Sequence, residues 1–472
     1  MSFHLGKPIL AMLVVAVLSG SALLLRPGRQ DRPHLLVWVF ADAHASTYRG
    51  DPTRPATRPS LLDQFVGDTG LSARVDLISY RAMNVRLIAM YMADLRGPEL
   101  PDIVEVEISQ VGKYFRPPLS EIGFLPLNHY LQSSGWIGRL SQARLKAWSK
   151  DGVIFGVPHD VHPMTITYRH DLFAEAGVDL ESSRTWREFH DNCLRFQDYW
   201  RSRGEHNRLA MELPKANASL LVPMLLQRRV NLVDADGKIH INDPRVAQTL
   251  ALYASMVAGP REIGGDLASG DAGFSQDLAT GKICAIWTPD WRVAYVKQYA
   301  PMLAGKLRMM PLPVFEDGDH RTSTWGGTMM GISRNCPDPD AAWKLVEWLY
   351  FSREGIEARR QYTDILPPVV EMWDDPYYQQ PDAYFGGQKI GQLYVDLARN
   401  DLPERHVTPS STIAESMLSY ILTRAVSYAR SRGEAGLREQ CQQWLDRAAA
   451  DLADRIRHGR FEEADDAISW QP

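Results

Sequence analysis

The sequence predicts an α/β protein of two domains, and three observations carry that prediction. From the first hydrophobic run onward, strand, helix, strand, helix, strand follow in turn, the order of a parallel α/β sheet. At 472 residues the chain exceeds what one ordinary core holds, so two or three domains are expected. Hydrophobic residues at 45% and charged residues at 23% give the balance of a globular chain, not a disordered one.

Each element has its own signal. His34 to Phe40 (HLLVWVF) reads as a buried first strand, with ADAHAS after it as a polar loop. Pro59 to Phe65 has helical spacing, Asp68-Thr69-Gly70 marks a turn, and Ala73 to Ile78 alternates as a second strand. A helix over Met83 to Leu95 and a strand over Pro101 to Ile108 follow. Trp186, Phe189, Cys193, Phe196 and Trp200 fall on one helical face, which Thr185 and Glu188 open as a capping box. Asp236-Gly237 predicts a hairpin turn, Asp340 to Tyr350 an amphipathic helix, and Ser416 to Ile456 mostly helix.

Pro8 to Leu25 is apolar or small throughout, with Lys7 before it and Arg26, Arg29 and Arg32 after it. Its eighteen residues lie near the lower limit of about 17–25 for a membrane span. The same stretch fits a secretory signal, with Gly20-Ser21-Ala22 as the cleavage site. Residues 1–33 are therefore a signal peptide or an N-terminal anchor, and either one exports the rest to the periplasm or the extracellular space. The three following arginines oppose the usual positive-inside orientation. A formal net charge of −5 gives no reason to expect nucleic acid. Four widely spaced cysteines predict buried free thiols, not a disulfide scaffold or a zinc site.

Residues 148–190 carry a resemblance: Gly152 to Pro158 (GVIFGVP), Tyr168 to Gly177 (YRHDLFAEAG) and Thr185 to Phe189 (TWREF). These resemble, in order, the signature of bacterial extracellular solute-binding proteins of the sugar type that serve ABC importers, with Arg169-His170 departing from its usual Asn-Lys. LPDIVEV, GFLPLNHYL, GKICAIWTPDW, PLPVFEDGD, TWGGTMMGIS and AAWKLVEWL extend the agreement over nearly the whole exported chain. The resemblance implies a two-lobed periplasmic-binding-protein fold (type II, Venus-flytrap), with a parallel-sheet core in each lobe. It places hinge crossings at His159 to Pro163 and Pro313 to Thr322. The N-terminal lobe is then 34–160 with 315–352, and the C-terminal lobe 161–314 with 353–472. It further implies a carbohydrate ligand between the lobes, ABC permease subunits as partners, a monomer, and no cofactor.

The candidate ligand residues follow from that register. Trp291 falls where sugar receptors of this family place a cleft indole, whose face covers the apolar C–H side of a pyranose. Asp290 beside it is suited to accept hydroxyl hydrogen bonds. Trp287 is either core or cleft. Other cleft loops are expected at Asp42 and His44, Glu105 and Glu107, His159 and Asp160, Glu212 with Lys215, and Asp364. Trp325, Gly326 and Gly327 join them, the glycines letting backbone approach a ligand. One of Glu105 and Glu107 can instead serve only to cap or pair. His159, Asp160 and His162 form HDVH, but on an extended segment they point to alternating sides and do not suit a metal. There is no GxSxG, HExxH or GxxxxGK[ST] motif, so a receptor is expected over an enzyme. The alternatives are a membrane-tethered sugar sensor and, less favoured, a glycoside-processing enzyme using paired carboxylates.

Overall fold

The computed structural model describes residues 32–460, apart from 52–58, 98, 116–117, 269 and 361; the apolar segment 8–25 lies outside the described residues. The chain opens with β1 (Leu35–Val39), α1 (Asp42–Arg49), α2 (Leu61–Thr69), β2 (Ala73–Leu77), α3 (Tyr80–Met92), β3 (Ile103–Glu107) and α4 (Ile108–Tyr114). After β4 (Val157–Pro158) come β5 (Met164–Arg169), α5 (Trp186–Arg201), β6 (Met211–Glu212), α6 (Pro244–Val257), β7 (Gly264–Gly265), β8 (Ala285–Pro289), α7 (Trp291–Tyr299) and β9 (Leu307–Pro311). Then β10 (Thr328–Ile332), α8 (Pro339–Tyr350), α9 (Arg353–Arg360), α10 (Ser411–Arg432) and α11 (Leu437–Arg457) follow.

Two sheets organise two lobes. The first has the order β2-β1-β3-β10-β4, with β1 parallel to β2 and β3. β10 runs antiparallel to both β3 and β4, so the sheet is mixed, not parallel as expected. The reason is topological: β10 arrives from the other lobe and enters at the end where β3 leaves, pairing Thr328 with Glu107. The second lobe repeats the logic. β5 starts at the crossing while β8 and β9 end there, so both flank it antiparallel. The parallel pair β6–β7 extends this sheet through Leu209, which pairs with Ile283 beside β8.

The strands are continuous apolar runs because helices cover both faces. Leu35, Val37 and Val39 of β1 pack with Leu345 and Ile356 on one side, and Leu36 and Trp38 with Leu87 and Met90 on the other. In the second lobe Trp186, Tyr253 and Trp287 share one core with Leu418 and Leu445. Ile356 belongs to the first core, so α9 packs with the first lobe beyond the expected boundary at 352. Conversely, Val314 pairs with Thr185 and Phe315 packs on the second core, so the return crossing falls later than expected, after Arg321.

The capping boxes at Ser60 and Thr185 are formed, and each closes the helix predicted after it. ADAHAS is not a loop: it forms α1, with Asp42 in the first turn and His44, Ala45 and Tyr48 buried. Its sequence carries no apolar stripe, and packing of that face onto the sheet supplies what local pattern does not.

Candidate functional site

The seam between the lobes gathers the strand ends. Two crossings run side by side there, Pro163 pairing with Thr324 and the Thr322 hydroxyl bonding both N–H and C=O of Met164. A third passes at 362–366, where the Val161 N–H donates to the Leu366 carbonyl.

A chain of charges ties the crossings together. Arg144 Nη2 donates to Asp160 Oδ1 at 3.0 Å, and Asp160 Oδ2 takes the Thr328 N–H at 3.0 Å. His162 Nε2 lies 3.1 Å from Asp160 and its Nδ1 2.5 Å from Asp290. Asp290 caps α7 through the Trp291 N–H at 2.7 Å and takes the Leu366 N–H at 2.7 Å. His162 has φ +56°, and that left-handed turn breaks the alternation of an extended segment, so one ring reaches both carboxylates. Burial alone would lower the His162 pKa, but Asp160 and Asp290 raise it to about 9. Burial alone would raise Asp160, yet His162 and Arg144 hold its carboxyl well below the usual range. Asp160 and Asp290 are fully buried, and these donors already engage their carboxylates.

A second polar cluster lies under β1 and β3. Glu105 Oε1 accepts the hydroxyls of Tyr48 at 2.6 Å and Tyr350 at 2.9 Å, and Oε2 lies 2.8 Å from His44 Nδ1. The His44 and His159 rings stand 4.1 Å apart. Burial, with Arg359 and His44 nearby, pushes His159 well below its ordinary pKa, so it is neutral. His44, Glu105 and His159 bring donor atoms within 4.8 Å of one another. Arg359 brings positive charge to this cluster and donates to the His159 carbonyl. Glu107, the helix cap of α4, accepts from the Ser109 N–H and from the Tyr80 hydroxyl, and burial raises its carboxyl.

The aromatic residues divide clearly. Trp287 is fully buried, 5.3 Å from Trp186, and its indole N–H donates to the Glu212 carbonyl, so it fills the core. Glu212 is held by Arg292 through both oxygens, at 2.6 and 3.0 Å, which makes it an internal ion pair. Trp291 is only half-buried; its ring is 5.6 Å from Trp325, tilted 56°, and its Nε1 donates to the Trp325 carbonyl. The Arg292 guanidinium lies 5.7 Å from the Trp325 ring. A Cβ on Gly326 would sit 3.4 Å from Trp291 Nε1, and one on Gly327 would strike Arg144. These glycines therefore admit neighbouring side chains. Asp42 is exposed on the first turn of α1; Asp364 is paired with Lys297 at 3.1 Å, and Lys215 with Glu262 at 2.6 Å.

Sequence reasoning missed Arg144, Arg292 and Arg359, the cations of these clusters, and assigned His162 no role. Among these the HDVH run was the one visible signal. The arginines meet carboxylates far away in sequence and leave no local pattern.

Comparisons with known proteins agree on one kind of molecule. A family described as "Bacterial extracellular solute-binding protein" matches residues 62–386. An arabinooligosaccharide-binding protein of Halalkalibacterium halodurans is 22% identical, over 80% of this chain and 81% of its own length. A lactose-binding protein of Rhizobium radiobacter is 24% identical, over 63% of this chain and 68% of its own. The sugar-binding protein MalE of Xanthomonas citri superposes with a TM-score of 0.66 at 17% identity, covering 91% of this chain and all of its own. A transporter-associated binding protein of B. animalis subsp. lactis, in complex with β-1,6-galactobiose, gives 0.67 at 16% identity, covering 90% and 98%. At these identities the structural likeness fixes the two-lobed fold.

Proposed function

We propose, from the premise that this chain belongs to the bacterial extracellular solute-binding proteins, that it is the carbohydrate receptor of an ABC importer. Its family and relatives are binding proteins, and membership of an extracellular family makes it an exported protein. An oligosaccharide lies between the lobes, and ligand contacts on both favour the closed state that docks on the permease. The first lobe is 34–162 with 323–360, and the second is 163–322 with most of 362–460, Val369 returning to pack in the first core.

The observation that carries this reading is the half-buried corner of Trp291 and Trp325, rooted beside the His162–Asp290 contact. Two tilted indoles offer apolar faces to sugar rings, and Asp42, exposed on the first turn of α1 after β1, is a charged acceptor for hydroxyls in this reading. The relatives named for arabino-oligosaccharides and lactose support a neutral di- or oligosaccharide. No helix among the described residues is long and apolar enough to cross a membrane. Residues 8–25 are a secretory signal or a retained anchor in this reading. A thermal-shift screen of arabino-, galacto- and malto-oligosaccharides tests the function, since ligand that binds only the native state raises the melting temperature. A panel that leaves the melting temperature unmoved opposes it, and release of shorter sugars by the purified protein points to the enzyme alternative.

A further inference from the structure

Four of the eight large hydrophobic residues exposed among those described crowd into one short region of the first lobe: Leu77, Val85, Met92 and Leu95. Val85 and Met92 stand seven apart on α3, which puts them on one face, and they are 70% and 79% exposed. Beside them an open groove of about 900 Å³ is lined by Leu77, Arg86, Met90, Leu95 and Leu100. Apolar side chains this exposed, next to one another, mark an interaction surface.

Where the chain enters the lobe suggests what covers it. Arg32, the first described residue, bonds Asp102 at 2.9 Å and reaches the carbonyl of Leu100, in the wall of that groove. Six residues, 26–31, separate Arg32 from the apolar run ending at Leu25. Fully extended, six residues span about 20 Å at most. A bilayer holding residues 8–25 is therefore held close to this face. The surrounding charges match: Arg81, Arg86 and Arg96 are exposed here, and Arg26 and Arg29 precede the lobe, against Asp94 and Glu99.

We infer that this face of α3, with Met92, Val85 and Leu95 at its centre, rests on an anionic lipid surface. The inference depends on residues 8–25 remaining as an anchor. Apolar side chains enter the headgroup boundary while arginines meet lipid phosphates.

The test uses the full chain in vesicles of phosphatidylglycerol and phosphatidylethanolamine, with Met92→Cys or Tyr420→Cys carrying a fluorophore. The native cysteines are buried and stay unlabelled. Flotation reports the anchor, and quenching by brominated lipid reports contact. The expected result is flotation with severalfold stronger quenching at 92 than at 420. Flotation without quenching at 92 overturns the seated face and leaves the anchor standing. Failure to float overturns both. Protection of position 92 only when permease is added makes this a protein-docking surface and overturns the lipid assignment.

Discussion

His162 and Asp290 meet at 2.5 Å across the seam between the lobes, on residues that belong to different crossings of the chain. The other ring nitrogen meets Asp160 at 3.1 Å, so one imidazolium bridges two buried carboxylates, and Arg144 beside Asp160 supplies the second positive charge. Such an arrangement stabilises only while all its members are present. His162→Ala leaves Asp290 with no cation beside it and Asp160 with Arg144 alone, and the expected loss is about 3–5 kcal/mol of unfolding free energy in urea titrations.

The same contact sets a pH dependence. The His162 pKa rises from an ordinary 6.5 to about 9 on folding, so its stabilisation is complete below pH 6.5 and is lost as pH climbs through 9. The amount is on the order of 3 kcal/mol. Asp160 works in the opposite sense: its contribution is present above the ordinary carboxylate pKa and fades as pH falls through its lowered folded value. Arg144 stays charged throughout, and neutral His159 adds no charge to the pair. Unfolding free energy of wild type is expected to fall between pH 7 and 9, and that of His162→Gln to fall less. Parallel curves would remove His162 as the titrating group.

Trp287→Ala is expected to cost about 3–5 kcal/mol in stability, because the indole is fully enclosed against Trp186. Thermal unfolding measures this, and a loss below about 1 kcal/mol would place the indole outside a tight core.

Gly327→Ala tests the close approach of Arg144. The glycine has φ +141°, and a methyl there overlaps the guanidinium that holds Asp160. More than about 1 kcal/mol of destabilisation is expected, with both backbone and steric causes. Gly237→Ala, also at positive φ but with open space around it, isolates the backbone part.

Much of the fold was legible because its signals are local. Thr185 and Glu188 sit three apart and open α5 as their spacing said. The family motifs carried the two-lobed α/β fold. The site was less legible. Trp287 and Trp291 are four apart in one short stretch, yet one is core and the other half-open. Strand alternation hinted at this without settling it. Asp290 looked like a free acceptor because its neighbours in space, His162 and Leu366, lie 128 and 76 residues away. Asp160 and Glu212 misled for the same reason: the arginines that hold them leave no trace in local spacing.

The central claim is that an oligosaccharide binds at the Trp291–Trp325 corner. Calorimetric titration tests it most directly, comparing wild type with Trp291→Ala for the sugar that most raises the melting temperature. Loss of one stacking face is expected to weaken binding about tenfold or more, or about 1.4 kcal/mol, with the melting temperature of the unliganded protein nearly unchanged. Wild-type affinity in Trp291→Ala would contradict the account.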